Sequence, residues 1–127
     1  MKFGLWVCGL ILLLTFVSGC TGNSDNNSEN TSAAKGTVVF KEVENENGEF
    51  RFLMIPNSAG IDYEQMSKDE LLVIARGQDD SAWYYLSEEH YNQIKVGNDV
   101  EVKWDSSHQA ESNPPLRSVV DIIIMTN

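Results

Sequence analysis

From Gly36 onward the chain breaks into short runs rich in β-branched and aromatic residues, each closed by a turn signal. That rhythm admits little besides a small β-sheet domain. Gly36 to Val43 forms the first run, and Asn45-Glu46-Asn47-Gly48 supplies a tight turn. Phe50 to Ile55 returns as a second strand, stopped by Pro56-Asn57. Leu71-Leu72-Val73-Ile74-Ala75-Arg76-Gly77 reads as a buried strand ended by glycine. Ser67-Lys68-Asp69-Glu70, which has capping-box spacing, then reads as a single turn before it. Trp83 to Leu86 is a further short β-prone piece.

Ser87 to Ile94 begins with a good N-cap and two acids, which predicts a short helix. Gly97-Asn98 turns the chain into Asp99 to Trp104, a strict alternation that sets Val100, Val102 and Trp104 on one face. Ser106 to Pro115 reads as a polar loop, and Arg117 to Met125 as the last strand. Its Ile122-Ile123-Ile124 run predicts burial on both faces. The expected fold is all-β: a five-stranded barrel over 36–127, with one short helix between strands 3 and 4. That order is the one expected of an oligonucleotide/oligosaccharide-binding (OB) barrel, and closure would remove the exposed edges of so small a sheet.

The N-terminus has another character. Lys2 is followed by an almost uninterrupted apolar run from Phe3 to Val17, 15 residues long. That suits a signal-peptide core and is short for a membrane span, which needs about 20 residues. The run ends in Val17-Ser18-Gly19-Cys20, which resembles the lipobox of bacterial lipoproteins. The resemblance implies a signal peptide over 1–19, cleavage before Cys20 and diacylglycerol on the Cys20 sulfur, often with a further acyl group on the new amino terminus. One acyl chain gives marginal membrane residence and two give stable anchoring. The expected location is therefore the cell membrane, lipid-anchored, on its extracytoplasmic face. Residues 20–35 comprise this cysteine and a polar segment, Thr21 to Lys35, without a large apolar residue. Such a segment reads as a flexible tether with a reach of roughly 20 Å.

Cys8 lies in the leader and Cys20 carries the lipid, so the processed domain holds no thiol for a disulfide, a thiolate metal site or a nucleophile. The net charge of −10 becomes −11 when Lys2 leaves with the leader. Excess acid disfavours nucleic-acid backbones as partners, and a stacking groove for single strands would need lysine and arginine.

Trp83, Tyr84, Tyr85 and Tyr91 form an aromatic-dense patch around the predicted helix, readable as core or as a stacking face. Alternation sends Trp83 and Tyr85 to one side and Tyr84 to the other. Glu111, Ser112, Asn113 and Pro114, followed by Pro115, make a polar loop stiffened by its prolines, readable as a recognition element or as a structural stop with a cis Asn113-Pro114 bond. These eight residues form the candidate binding face.

Asp79-Asp80, with Asp62 and Glu64, match no calcium loop, and His90 and His108 lack a partner at zinc spacing. No catalytic motif, metal site or cofactor is predicted. Glu88 and Asp121 could be paired as acid and base only arbitrarily among so many acids.

Ala82-Trp83-Tyr84, Ile94-Lys95-Val96-Gly97 with Val100-Glu101-Val102, and Glu111-Ser112-Asn113-Pro114 together resemble the YobA-like family of small lipoproteins and secreted proteins from bacilli. Asn113 stands where the family pattern has an aromatic residue. The family implies no reaction, and the resemblance alone implies a Gram-positive envelope. The resulting expectation is a non-enzymatic binding or interaction domain whose partner is an envelope protein or a wall-derived ligand. The alternative is a small metal-assisted, nuclease-like hydrolase, which would require an arginine and two carboxylates in one cleft.

Overall fold

The computed structural model describes residues 30–44 and 46–125. The expected signal peptide, Cys20 and most of the expected tether lie outside the described residues. Strands β1 (Thr31–Glu44), β2 (Glu49–Ile55), β3 (Ala82–Leu86), β4 (Asp99–Ala110) and β5 (Leu116–Met125) dominate. Helix α1 (Lys68–Arg76) lies between β2 and β3, and α2 (Glu88–Gln93) between β3 and β4.

The strands pair in the order β1-β2-β3-β5-β4, and β4 returns to β1, so one sheet closes into a ring. β3 and β5 run parallel and every other pairing is antiparallel. β1 serves two neighbours: Thr31 to Thr37 pair with β4, and Thr37 to Glu44 with β2. At the changeover Gly36 lies against β2, where an added Cβ would come within 2.7 Å of the Ile55 carbonyl oxygen and 2.9 Å of Met54 Cγ. A side chain there would hold the two strands apart. Val38 faces the ring interior, and a register shift between Val38 and Phe40 lets the adjacent Val39 and Phe40 both join the outer core.

Two cores result. Val38, Phe52, Met54, Ala82, Tyr84, Ile94, Val100, Val102 and Trp104 fill the ring. Val39, Leu53, Ile55 and Trp83 pack outward against Leu71 and Ala75 of α1. The predicted alternation of Val100, Val102 and Trp104 is observed, as is the β1–β2 hairpin, with Gly48 at φ 66° in its turn.

Four sequence expectations need correction. Leu71 to Arg76 is helical, because the Ser67/Glu70 capping box forms in full: the Ser67 hydroxyl accepts from the Glu70 N–H at 3.2 Å, and Glu70 Oε2 accepts from the Ser67 N–H at 3.3 Å. Burial follows the helical period, hiding Leu71 and Ala75 and leaving Val73 65% exposed, where a strand would have hidden all three. The piece Ala82 to Leu86 is therefore the third strand, and the domain has two helices instead of one. β1 begins at Thr31, so Thr31 to Lys35 belong to the sheet and not to a tether, each paired across β4. β4 continues to Ala110 through the first half of the expected loop, with Gln109 opposite Arg117. Finally, Val120 and Ile123 are 56% and 50% exposed, so β5 is covered on its inner face alone.

Candidate functional site

The aromatic patch divides between the two cores. Tyr84 is fully buried inside the ring, stacked on Phe52 with centroids 5.3 Å apart. Trp83 is 5% exposed beneath α1, edge-on to Phe40 at 6.2 Å. Both are core residues, which removes them from the candidate binding face. The expected opposition of Tyr84 to Trp83 and Tyr85 holds. Tyr91 is half-buried, tilted against Phe50 at 5.0 Å, with Lys41 Nζ 4.1 Å from its ring centre. Tyr85 lines a cleft of about 370 Å³ with Gly48, Glu49, Phe50, Leu86 and Glu88, an acidic concavity. Burial raises the phenols of Tyr84, Tyr85 and Tyr91 above their ordinary values.

An ion network covers the outer face of Trp83. The Arg51 guanidinium lies 4.3 Å from its ring centre and the Lys68 ammonium 5.6 Å. Arg51 donates to Glu42 through Nε at 2.8 Å and through Nη2, and Lys68 donates to both Glu42 oxygens at 2.8 and 2.9 Å. Burial alone would raise the Glu42 carboxyl, but the hydrogen bonds from Lys68 and Arg51 outweigh it and hold Glu42 below its ordinary value. Glu44 stands 4.0 Å from Arg51 and accepts from the Tyr85 hydroxyl at 3.3 Å. An arginine and two carboxylates do converge here, yet none of the three lines either cleft described in this section. Their charges are spent on one another and on Lys68.

Glu111, Ser112 and Asn113 are exposed, whereas Pro114 is buried and its bond to Asn113 is cis. The Ser112 hydroxyl donates to the Pro114 carbonyl at 2.8 Å, Arg76 donates to the Asn113 carbonyl at 3.1 Å, and Pro115 accepts from the Trp83 N–H at 2.9 Å. These bonds tie the loop to α1 and β3, as a structural stop would. Asp105, Ser107 and His108 touch one another at the far end of β4, but both partners use the same His108 nitrogen, Nδ1, at 2.9 Å. A nucleophile relay needs the two ring nitrogens in separate roles, so this is a polar cluster on the exposed part of β4. Among the described residues no group of three histidine, cysteine or acidic side chains could hold a metal ion.

Sequence reasoning passed over Arg117. It pairs in register with Tyr84, so its side chain enters the ring at the mouth formed by the start of β1, the end of β4 and the start of β5, and it is 9% exposed. Its Nη1 donates to the Tyr84 hydroxyl at 2.9 Å, its Nε to Gln109 Oε1 at 2.8 Å, and its guanidinium carbon lies 4.0 Å from the centre of the Trp104 ring. Among the described residues no carboxylate lies within 4.0 Å of it. Arg117 and Trp104 line a cleft of about 310 Å³ with Ser32 to Lys35, Pro56 and Asp80. The sequence signal was available: an arginine two residues before Val119, on the same face of a strand rich in valine and isoleucine.

No family model and no curated protein matches the chain. Among solved structures, a crystal structure of a YobA protein from Bacillus subtilis matches at 22% identity, covering 75% of this chain and 95% of that one, with a TM-score of 0.57. The solution structure of Bacillus subtilis YobA matches at 21% identity, covering 81% and 90%, with a TM-score of 0.59. At this identity the likeness shows a shared fold. It falls on the family that the Ala82-Trp83-Tyr84 and Ile94 to Gly97 residues resemble, and it points to no enzyme family.

Proposed function

We propose that this chain, which shares the YobA fold, is a lipid-anchored extracytoplasmic binding module built on an OB-type barrel. The strand order, the parallel β3–β5 pairing and the placement of α2 before β4 support the barrel assignment. The apolar run ending at Cys20 supports the anchor. Binding rests on one observation above all: the ring mouth is an open cleft whose deepest charged group, Arg117, is nine-tenths buried and has no carboxylate partner among the described residues. A solvent-sealed core would exclude such a charge, because burying it unpaired costs stability. A binding site retains it for the partner.

Two measurements in living cells test this together. Cys20→Ala is expected to abolish labelling by a tagged fatty acid and to leave the apolar leader attached, read as the mass of the uncleaved chain. A photo-crosslinking side chain at Ser32, on the cleft wall, is expected to capture a specific adduct that the same group at Val120, on the outer face of β5, does not. A wild-type protein that takes up no label, or a Cys20→Ala protein labelled as strongly as the wild type, defeats the anchor. Identical adduct patterns from the two positions defeat the binding module.

A further inference from the structure

We infer that the Arg117 cleft is a carboxylate-binding site, which takes one monoanionic carboxylate group of a small molecule between the Arg117 guanidinium and the wall formed by β1. The inference rests on the binding-module reading and specifies its ligand chemistry.

A guanidinium carries five N–H donors and no acceptor. Two of them are engaged, by Gln109 and Tyr84, both neutral. The other three, including both on Nη2, have no acceptor among the described residues. A carboxylate is the group that meets two of these parallel donors at once. Trp104 gives a second, independent indication. It lines the same cleft, and its indole Nε1–H is buried without a hydrogen-bond partner among the described residues. An indole N–H can only donate. Two side chains that line the cleft thus carry donors with no acceptor among the described residues.

The surroundings decide between anions. Asp80 stands on the cleft wall, beyond ion-pair distance of Arg117 but near enough to Tyr84 for its charge to oppose ionisation of that phenol. The domain as a whole is strongly acidic. Both fields penalise a second negative charge, so a carboxylate is favoured over a phosphate dianion. The guanidinium already lies 4.0 Å from the Trp104 ring centre and is held by Gln109 and Tyr84. The Arg117 fork is thus fixed before any ligand arrives, which reduces the entropy lost on binding.

The test uses the full lipidated chain in neutral-detergent micelles, labelled with nitrogen-15 and titrated at constant ionic strength with acetate, glucuronate and inorganic phosphate. The Trp104 indole and Arg117 Nε resonances are followed. Acetate and glucuronate are expected to shift both saturably, and Arg117→Met is expected to weaken the response at least about tenfold. Arg117→Lys, which keeps the charge but loses the fork, is expected to fall between the two. If Arg117→Met does not fold, the wild-type shifts decide alone, by clustering at the cleft or by failing to. The inference is overturned if no carboxylate gives a saturable shift below about 100 mM, if phosphate binds more tightly, or if folded Arg117→Met titrates like the wild type. Silence toward all three anions while Ser32 crosslinks persist removes the carboxylate class and leaves the binding module. Silence with no crosslinks removes both.

Discussion

Two arginines in this domain sit over tryptophan rings in opposite electrostatic circumstances. Arg51 lies over Trp83 with Glu42 as its partner, whereas Arg117 lies over Trp104 with none among the described residues. The first arrangement is self-sufficient and should contribute to stability in a pH-dependent way. Because Glu42 is held below its ordinary value when folded, its contribution is complete above that value and is lost as the pH falls through the depressed one. Glu42→Gln is therefore expected to cost about 1 kcal/mol near neutrality. The difference from wild type should vanish in acid, as read by denaturant unfolding across the acidic range. A constant difference at every pH would remove Glu42 from the acid limb. Trp83 and Tyr84 show what a single residue leaves undecided in sequence. An aromatic residue suits a core and a stacking face equally, and only its neighbours separate the two. Here α1 covers one ring and Phe52 the other.

At the scale of elements, α1 is where local signals conflicted. Val73 and Ile74 favour a strand, and the Ser67/Glu70 box favours a helix. The box prevails because helix formation also buries Leu71 and Ala75 against Val39, Leu53, Ile55 and Trp83, a surface that exists only once the sheet has formed. The cap then carries an unusual share of the helix, and Ser67→Ala is expected to destabilise the domain by about 1 kcal/mol in thermal or denaturant unfolding. No measurable loss would mean that packing alone holds α1. The hairpin and the Val100/Val102/Trp104 face were legible beforehand, because each is specified by residues next to one another in the chain. Ile122 to Ile124 misled for the complementary reason: three isoleucines report preference for a strand, and they do not report whether anything covers the second face.

For the whole molecule, closure of the ring depends on a segment of unpromising composition. Thr31 to Lys35 contains no large apolar residue, yet its backbone supplies five of the seven register partners that β1 offers β4. Removing these five residues is expected to lower hydrogen-exchange protection at least about tenfold in the alternate β4 amides between Glu101 and Asp105. Unchanged protection would show that the sheet closes without them. The same segment walls the Arg117 cleft, so fold closure and candidate site share one strand end. Sequence alone determined the strand-rich class, the short α2, the alternating face of β4, the acidity and the lipobox-like N-terminus, because each is written in neighbouring residues or in composition. Tertiary structure decided the helicity of Leu71 to Arg76, the pairing of Thr31 to Lys35 and the meeting of Arg117 with Tyr84, Trp104 and Gln109. Those outcomes depend on surfaces and backbone partners brought together from distant parts of the chain, and no local window contains them.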